Sequence, residues 1–148
     1  MSLIVLKDSK ILKESEIKVL NTLIGKTSRY KLLYRGTRDG FAFSNLHSKI
    51  DDYQNTITVF LSGDNVFGGF TSQTWNFQTG NFKSDDKAFL FSIRQKGIAK
   101  SIKYNVKNQS NAVKTFSNSI YGICFGRDSL IMTFSNNQGY LFNYLILK

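Results

Sequence analysis

The sequence predicts a mainly β protein: a two-layer antiparallel β-sandwich with two short flanking helices near the N-terminus. Three observations carry that expectation. Ile57, Val59 and Leu61 alternate with Thr56, Thr58 and Phe60, and Ile102, Tyr104 and Val106 alternate with Ser101, Lys103 and Asn105, the period of half-buried strands. The 13 Phe and 7 Tyr favour a pleated surface. With 0 Pro, the chain builds its turns from 11 Gly and from Asn and Ser. Many short strands with few helices bury their apolar faces by stacking one sheet on another.

Taken in order, Met1–Lys10 reads as an extended leader. A helix is expected from about Ser15 to Ile24, with Ser15 accepting the free N–H groups of the first turn and Glu16 against the positive helix end. Ile17, Leu20 and Ile24 recur at helical spacing, and Gly25 provides a left-handed stop. Lys31–Arg35 reads as a strand and Gly36–Gly40 as a turn, in which Asp39 binds nearby backbone N–H groups and Gly40 takes positive φ. A second helix is expected over Asn45–Asp51, capped by Ser44, with Phe43, Leu46, His47 and Ile50 on one stripe.

Thr56–Leu61 and Val66–Thr71 form a hairpin around Ser62–Asn65. Gly68-Gly69 inside a strand implies a bulge or a close approach by another backbone. Ser72–Asp86 reads as a long polar connection interrupted by Trp75, Phe77 and Phe82. Ala88–Arg94 is apolar enough to be buried on both faces, and the strand at Ser101–Val106 should have one wet side. Short β segments follow near Ala112–Phe116, Ser119–Phe125, Leu130–Phe134 and Tyr140–Leu147, and both helices should lie against the N-terminal portion of the sandwich.

Residues 1–148 are expected to form one domain, 41% hydrophobic, large enough to fold without disulfides or metal. Cys124 is the only cysteine, so an intramolecular disulfide is impossible. No apolar run reaches signal-peptide length near Met1, and none approaches the ~18 residues of a membrane span. The expected location is the cytoplasm. The net charge is +10, and no carboxylate lies between Asp86 and Asp128. Lys96, Lys100, Lys103 and Lys107 in that stretch are a candidate basic contact surface for nucleic acid, anionic membrane or an acidic protein. Alternation along a strand sends lysines to both faces, so a solvated basic exterior is the plainer reading.

No constellation points to catalysis. His47 is the only histidine and sits on an inward-facing stripe, as a packed, hydrogen-bonded core residue does. One His and one Cys fall short of a zinc site. Cys124 lies among apolar neighbours, which disfavour its thiolate. The acidic pairs Asp51-Asp52 and Asp85-Asp86 read as solvated loop or helix-end charges. Gly63–Gly69 matches no phosphate-binding loop, and no RNP-like motif accompanies the aromatic residues.

The order of blocks is more specific than any one of them. Leu32-Leu33-Tyr34 precedes Arg38-Asp39-Gly40-Phe41, then Leu46-His47, then Val66-Phe67-Gly68-Gly69-Phe70-Thr71, Trp75, and Asp85-Asp86-Lys87-Ala88-Phe89-Leu90-Phe91-Ser92. This series resembles the TLDc domain. The C-terminal third departs from the family pattern: Ile123 stands in place of a Pro, Arg127-Asp128 replaces a Gly-rich part, and the Gly-Ser-Tyr-rich segment is shortened to Asn136–Gly139. The resemblance implies a β-sandwich flanked by two helices, with no cofactor and no catalytic residues. It also implies a non-enzymatic protein-interaction module, linked to oxidative-stress protection and to binding the peripheral sector of the vacuolar-type proton ATPase. The expected form is a monomer with a protein partner; the alternative is a basic module for nucleic acid, the less favoured ligand, or anionic membrane. Among the motif positions, which include Arg38, the residues Asp39, Gly40, Gly68, Gly69, Gly122 and Gly126 read as turn or bulge makers. Phe41, Phe67, Trp75, Phe89 and Phe91 read as space fillers, with His47 and Asp85 in the matching blocks.

Overall fold

The computed structural model describes residues 9, 11–25, 30–76, 81–114, 121–127, 130–133 and 143–147. The leader at Met1–Lys10, apart from Ser9, lies outside them, as do Phe77, Phe116, Asp128 and Asn136–Gly139.

Helix α1 spans Glu14–Ile24, buries Ile17 and Leu20, and ends at Gly25 with φ +81°. Its start corrects the sequence reading. Ser15 lies inside the first turn, and the Glu16 carboxylate accepts the N–H of Lys13 at 2.9 Å, one half of a capping box. Strand β1, Leu32–Arg35, runs into the single helical turn α2, Gly36–Asp39. Helix α3 covers Phe43–Ile50 and buries Phe43, Leu46, His47 and Ile50, the expected stripe. It starts after Ala42, so Ser44 is within the helix rather than its cap.

Strands β2 (Thr56–Ser62) and β3 (Asn65–Thr71) form the expected hairpin. They are followed by β4 (Phe82–Lys83), β5 (Phe89–Gln95) and β6 (Ile98–Asn105). A short 3-10 turn at Gln109–Asn111 leads to β7 (Val113–Lys114), β8 (Tyr121–Phe125), β9 (Leu130–Thr133) and β10 (Asn143–Leu147). Among the described residues these strands form two antiparallel sheets, ordered β1-β10-β2-β3-β5-β6 and β4-β7-β8-β9.

The architecture is the predicted antiparallel sandwich, but the helices are placed differently. α3 packs between the sheets' aromatic residues, in one core with Tyr34, Phe60, Trp75, Ile123 and Phe125. α1 packs on the opposite face of the larger sheet, where Ile17 and Leu20 meet Ile57, Val59, Val66, Phe89, Phe91 and Ile93. The larger sheet is therefore a middle layer, covered from both sides. This explains why β2, expected to be half-wet, has Thr56, Thr58 and Val59 with no exposed surface. The two buried threonines differ: the hydroxyl of Thr56 accepts the Trp75 indole N–H at 2.9 Å, whereas the Thr58 hydroxyl is buried with no hydrogen-bond partner among the described residues.

Gly68 and Gly69 mark the tightest packing in this middle layer. A Cβ on Gly68 would lie 1.9 Å from the Thr58 carbonyl oxygen, and one on Gly69 would lie 2.6 Å from the Phe125 ring. Adjacent strand residues point to opposite faces, so each glycine serves a different face. The irregularity in β3 falls at Val66/Phe67 instead, so close approach is the reason for both glycines.

Candidate functional site

The family-motif residues come first, because the structure shows what each one does. Asp39 is the hub of the turn after β1. Its carboxylate accepts the Arg35 N–H at 2.9 Å and the Arg38 guanidinium at 2.8 and 2.7 Å, with Lys49 Nζ at 3.7 Å. The Arg38 hydrogen bonds hold the Asp39 pKa at about 2 against the opposing effect of burial. Gly40 has φ +87°, and its carbonyl accepts the hydroxyl of the fully buried Tyr34, tying the turn to β1. Phe41 corrects the expectation of a space filler: it is 42% exposed, with its ring edge against Gly36.

His47 is buried, and its Nδ1 lies 2.6 Å from the Asp51 carboxylate. The i, i+4 spacing on α3 brings those two side chains together. Trp75 is buried edge-on against Phe125, ring centroids 5.3 Å apart. Phe67 stacks on Phe60 at 5.5 Å, and Phe89 on Phe70 at 5.4 Å. Gly126 takes φ +66° after β8 and donates to the Ala112 carbonyl at 2.7 Å. Gly122 is buried within the irregular part of β8.

Asp85 corrects a second expectation. It is 3% exposed, not a solvated loop acid. Its carboxylate accepts the Thr71 hydroxyl at 2.6 Å, the Ser72 N–H at 2.7 Å, the Ser72 hydroxyl at 2.8 Å and the Lys87 N–H at 3.0 Å. Burial pushes its pKa up, but these hydrogen bonds prevail and leave it below the ordinary carboxylate range. The connection from Ser72 to Asp86 is thus pinned near its end, with Lys83 donating to the Thr74 carbonyl at 2.9 Å and hydroxyl at 2.7 Å.

Cys124 is buried, with Sγ 3.3 Å from the Gly126 carbonyl oxygen. Among the described residues no three His, Cys, Asp or Glu side chains are grouped to hold a metal ion. No helix among them is long and apolar enough to cross a membrane.

The open surface lies on β5 and β6. Register and alternation place Phe67, Leu90, Ser92, Ile102 and Tyr104 on the face that looks toward the smaller sheet. Two grooves of about 750 and 710 Å³ run there and meet at Leu90 and Tyr104. Ile98 is 71% and Tyr104 51% exposed, so the side of β6 expected to be dry is also open.

The predicted lysine surface is divided by the same alternation. Lys96 and Lys100 line the first groove and Lys107 the second. Lys103 is on the opposite face, over the Phe89 ring at 4.2 Å, and its ammonium donates to the Leu23 carbonyl at the end of α1 at 2.9 Å. Ile98, Tyr104 and Arg127 were not singled out in the sequence as contact residues. A weak signal existed in Lys96-Gly97: both take positive φ, the geometry of a two-residue hairpin turn that opens β6 with Ile98.

The family model for the TLDc domain matches residues 5–144. The chain belongs to the TLDc domain family. A 66-residue stretch of this TLDc chain is 36% identical to the MTOR-associated protein MEAK7 of Xenopus laevis, covering 44% of the chain and 14% of that protein. The TLDc chain thus spans a small part of that relative's length. The matching motif residues Asp39, His47, Trp75 and Asp85 are all occupied by contacts that hold the TLDc fold together.

Proposed function

We propose that this chain is a non-enzymatic TLDc docking module that binds another protein in the cytoplasm, acting as a monomer. The observation that carries this reading is the open double groove on β5 and β6, with exposed Ile98 and Tyr104 on a scaffold whose Asp39, His47, Trp75 and Asp85 are engaged within the fold. Apolar side chains exposed beside polar ones mark interaction sites more than they mark catalysis. His47 and Cys124 are packed inside, which supports the non-enzymatic reading. Oxidative-stress protection, and the peripheral sector of the vacuolar-type ATPase as the partner, belong to the same proposal and rest on family membership alone.

The test is cross-linking and mass spectrometry of the tagged chain in native cytosol. The expected result is protein cross-links from Lys96, Lys100 or Lys107 that weaken with added salt. Absence of any specific protein partner overturns the docking reading, and absence of peripheral ATPase subunits removes that partner alone. For the non-enzymatic part, His47→Gln combined with Cys124→Ser should leave protection of oxidant-stressed cells intact.

A further inference from the structure

The two grooves adjoin at Leu90 and Tyr104 along β6, and the lining of the trough they outline has a one-sided chemistry. The floor is apolar, from Phe67, Leu90 and Tyr104, with Ile98 at one end. The rim carries Lys96, Lys100, Lys107 and Arg127, all exposed, and no hydrogen bond or ion pair of the described residues engages the Lys100 ammonium. Among the described residues lining the trough there is no carboxylate, and Asp64 stands beside its Lys96–Gly97 end, its carbonyl accepting the Gly97 N–H at 2.9 Å. Arg94, which also borders it, is already held by Glu16 on the other face at 2.7 and 3.0 Å.

Among the described residues β6 is also the outer strand of the six-stranded sheet, 8 residues long. An outer strand presents unpaired backbone donors and acceptors, and lysines there commonly guard against pairing with another copy. Here the guard is selective. Lys103 is drawn away to the Leu23 carbonyl, while Lys96 and Lys100 stay beside the apolar floor. Like charges facing each other across strands are destabilising and opposite charges stabilising, so a second β6 is repelled and an acidic segment is attracted to the face that carries Lys96 and Lys100.

We infer that this trough receives an extended, acidic protein segment with apolar residues at alternate positions, laid over the open face of β5 and β6 with its apolar side toward the floor. Its carboxylates meet the Lys96, Lys100, Lys107 and Arg127 rim, and its apolar side chains cover Leu90, Ile98 and Tyr104. Single-stranded nucleic acid needs successive exposed rings for stacking, and the trough offers Tyr104 alone among its exposed residues. A concave trough also matches a chain segment better than a lipid surface.

The inference rests on the docking reading and names its partner's chemistry. It is tested on the full chain with a fluorescent peptide of alternating Glu and Leu, followed by anisotropy at low and physiological salt. The peptide should bind, more weakly as salt rises, and the Lys-Leu counterpart should not. Lys96→Glu with Lys100→Glu should weaken binding ~10-fold or more, as should Ile98→Asp, while circular dichroism and thermal midpoint stay as in the parent because the sites are exposed. Failure of the Glu-Leu peptide to bind, or equal binding to these folded variants, overturns the inference. So does displacement of the peptide by oligo-dT or phosphatidylserine vesicles at lower concentration than unlabelled peptide. These readouts are separate from partner capture: variants that capture the same proteins as the parent chain sink the trough assignment and leave the docking reading standing.

Discussion

Asp85 and Asp39 hold buried or half-buried negative charge with different partners. Asp85 relies on hydroxyl and amide donors from Thr71, Ser72 and Lys87, and Asp39 on Arg38 and the Arg35 amide. Removing the Asp85 carboxylate leaves those donors without their acceptor. Asp85→Ala should cost ~2–4 kcal/mol, read from urea unfolding, since each orphaned buried donor carries its own desolvation penalty. Both carboxylates have folded pKa values below the ordinary one, Asp39 at about 2. A lowered folded pKa adds stability above the unfolded value of about 4, and that stability is lost as pH falls through the folded value. The melting temperature should therefore drop as pH falls from about 4 towards 2, and Asp39→Asn should flatten part of that decline. Asp85 was hard to read from sequence because its hydroxyl partners, Thr71 and Ser72, are 14 and 13 residues away and its neighbour is another acid.

Among the elements, α1 is fastened to the middle sheet by a forked ion pair. Arg94 Nε meets Glu16 at 2.7 Å and its NH2 group meets it at 3.0 Å, with both side chains mostly buried. Burial pushes the Glu16 pKa up, yet Arg94 and the Lys13 amide outweigh that and hold it lowered. Glu16→Gln should cost ~3 kcal/mol by stranding the guanidinium, and adding Arg94→Met should recover part of that loss. In β3, Gly69→Ala should cost ~1–3 kcal/mol by pressing the Phe125 ring, with Phe125→Leu restoring most of it. Gly68→Ala should be worse and unrescued, because the obstacle there is the Thr58 backbone. The β2–β3 hairpin and both longer helices were legible because period and spacing are local properties. Their caps were not, since Lys13 and Ala42 offer no side-chain acceptor and Glu16 does the work from inside the helix. The trough was not legible either: whether Tyr104 is covered depends on how far a second sheet extends, which no alternation in β6 encodes.

For the whole molecule, layering ranks the strands. β2 and β3 have neighbours on both edges and cover on both faces, whereas β6 is the outer strand and mostly exposed. Native-state hydrogen exchange should find the slowest amides in β2 and β3 and much faster exchange in β6. Partner binding along β6 should slow its exchange without altering the centre. Such a distribution suits a docking module, whose receptive margin adjusts while the body stays fixed.

The glycine pair in β3 has a mechanical corollary. Where two layers press the same short stretch of backbone from opposite sides, little void remains to be eliminated. Hydrostatic compression works by removing such voids, so this stretch of β3 should be the last part to yield, with failure beginning at the β6 margin and advancing inward.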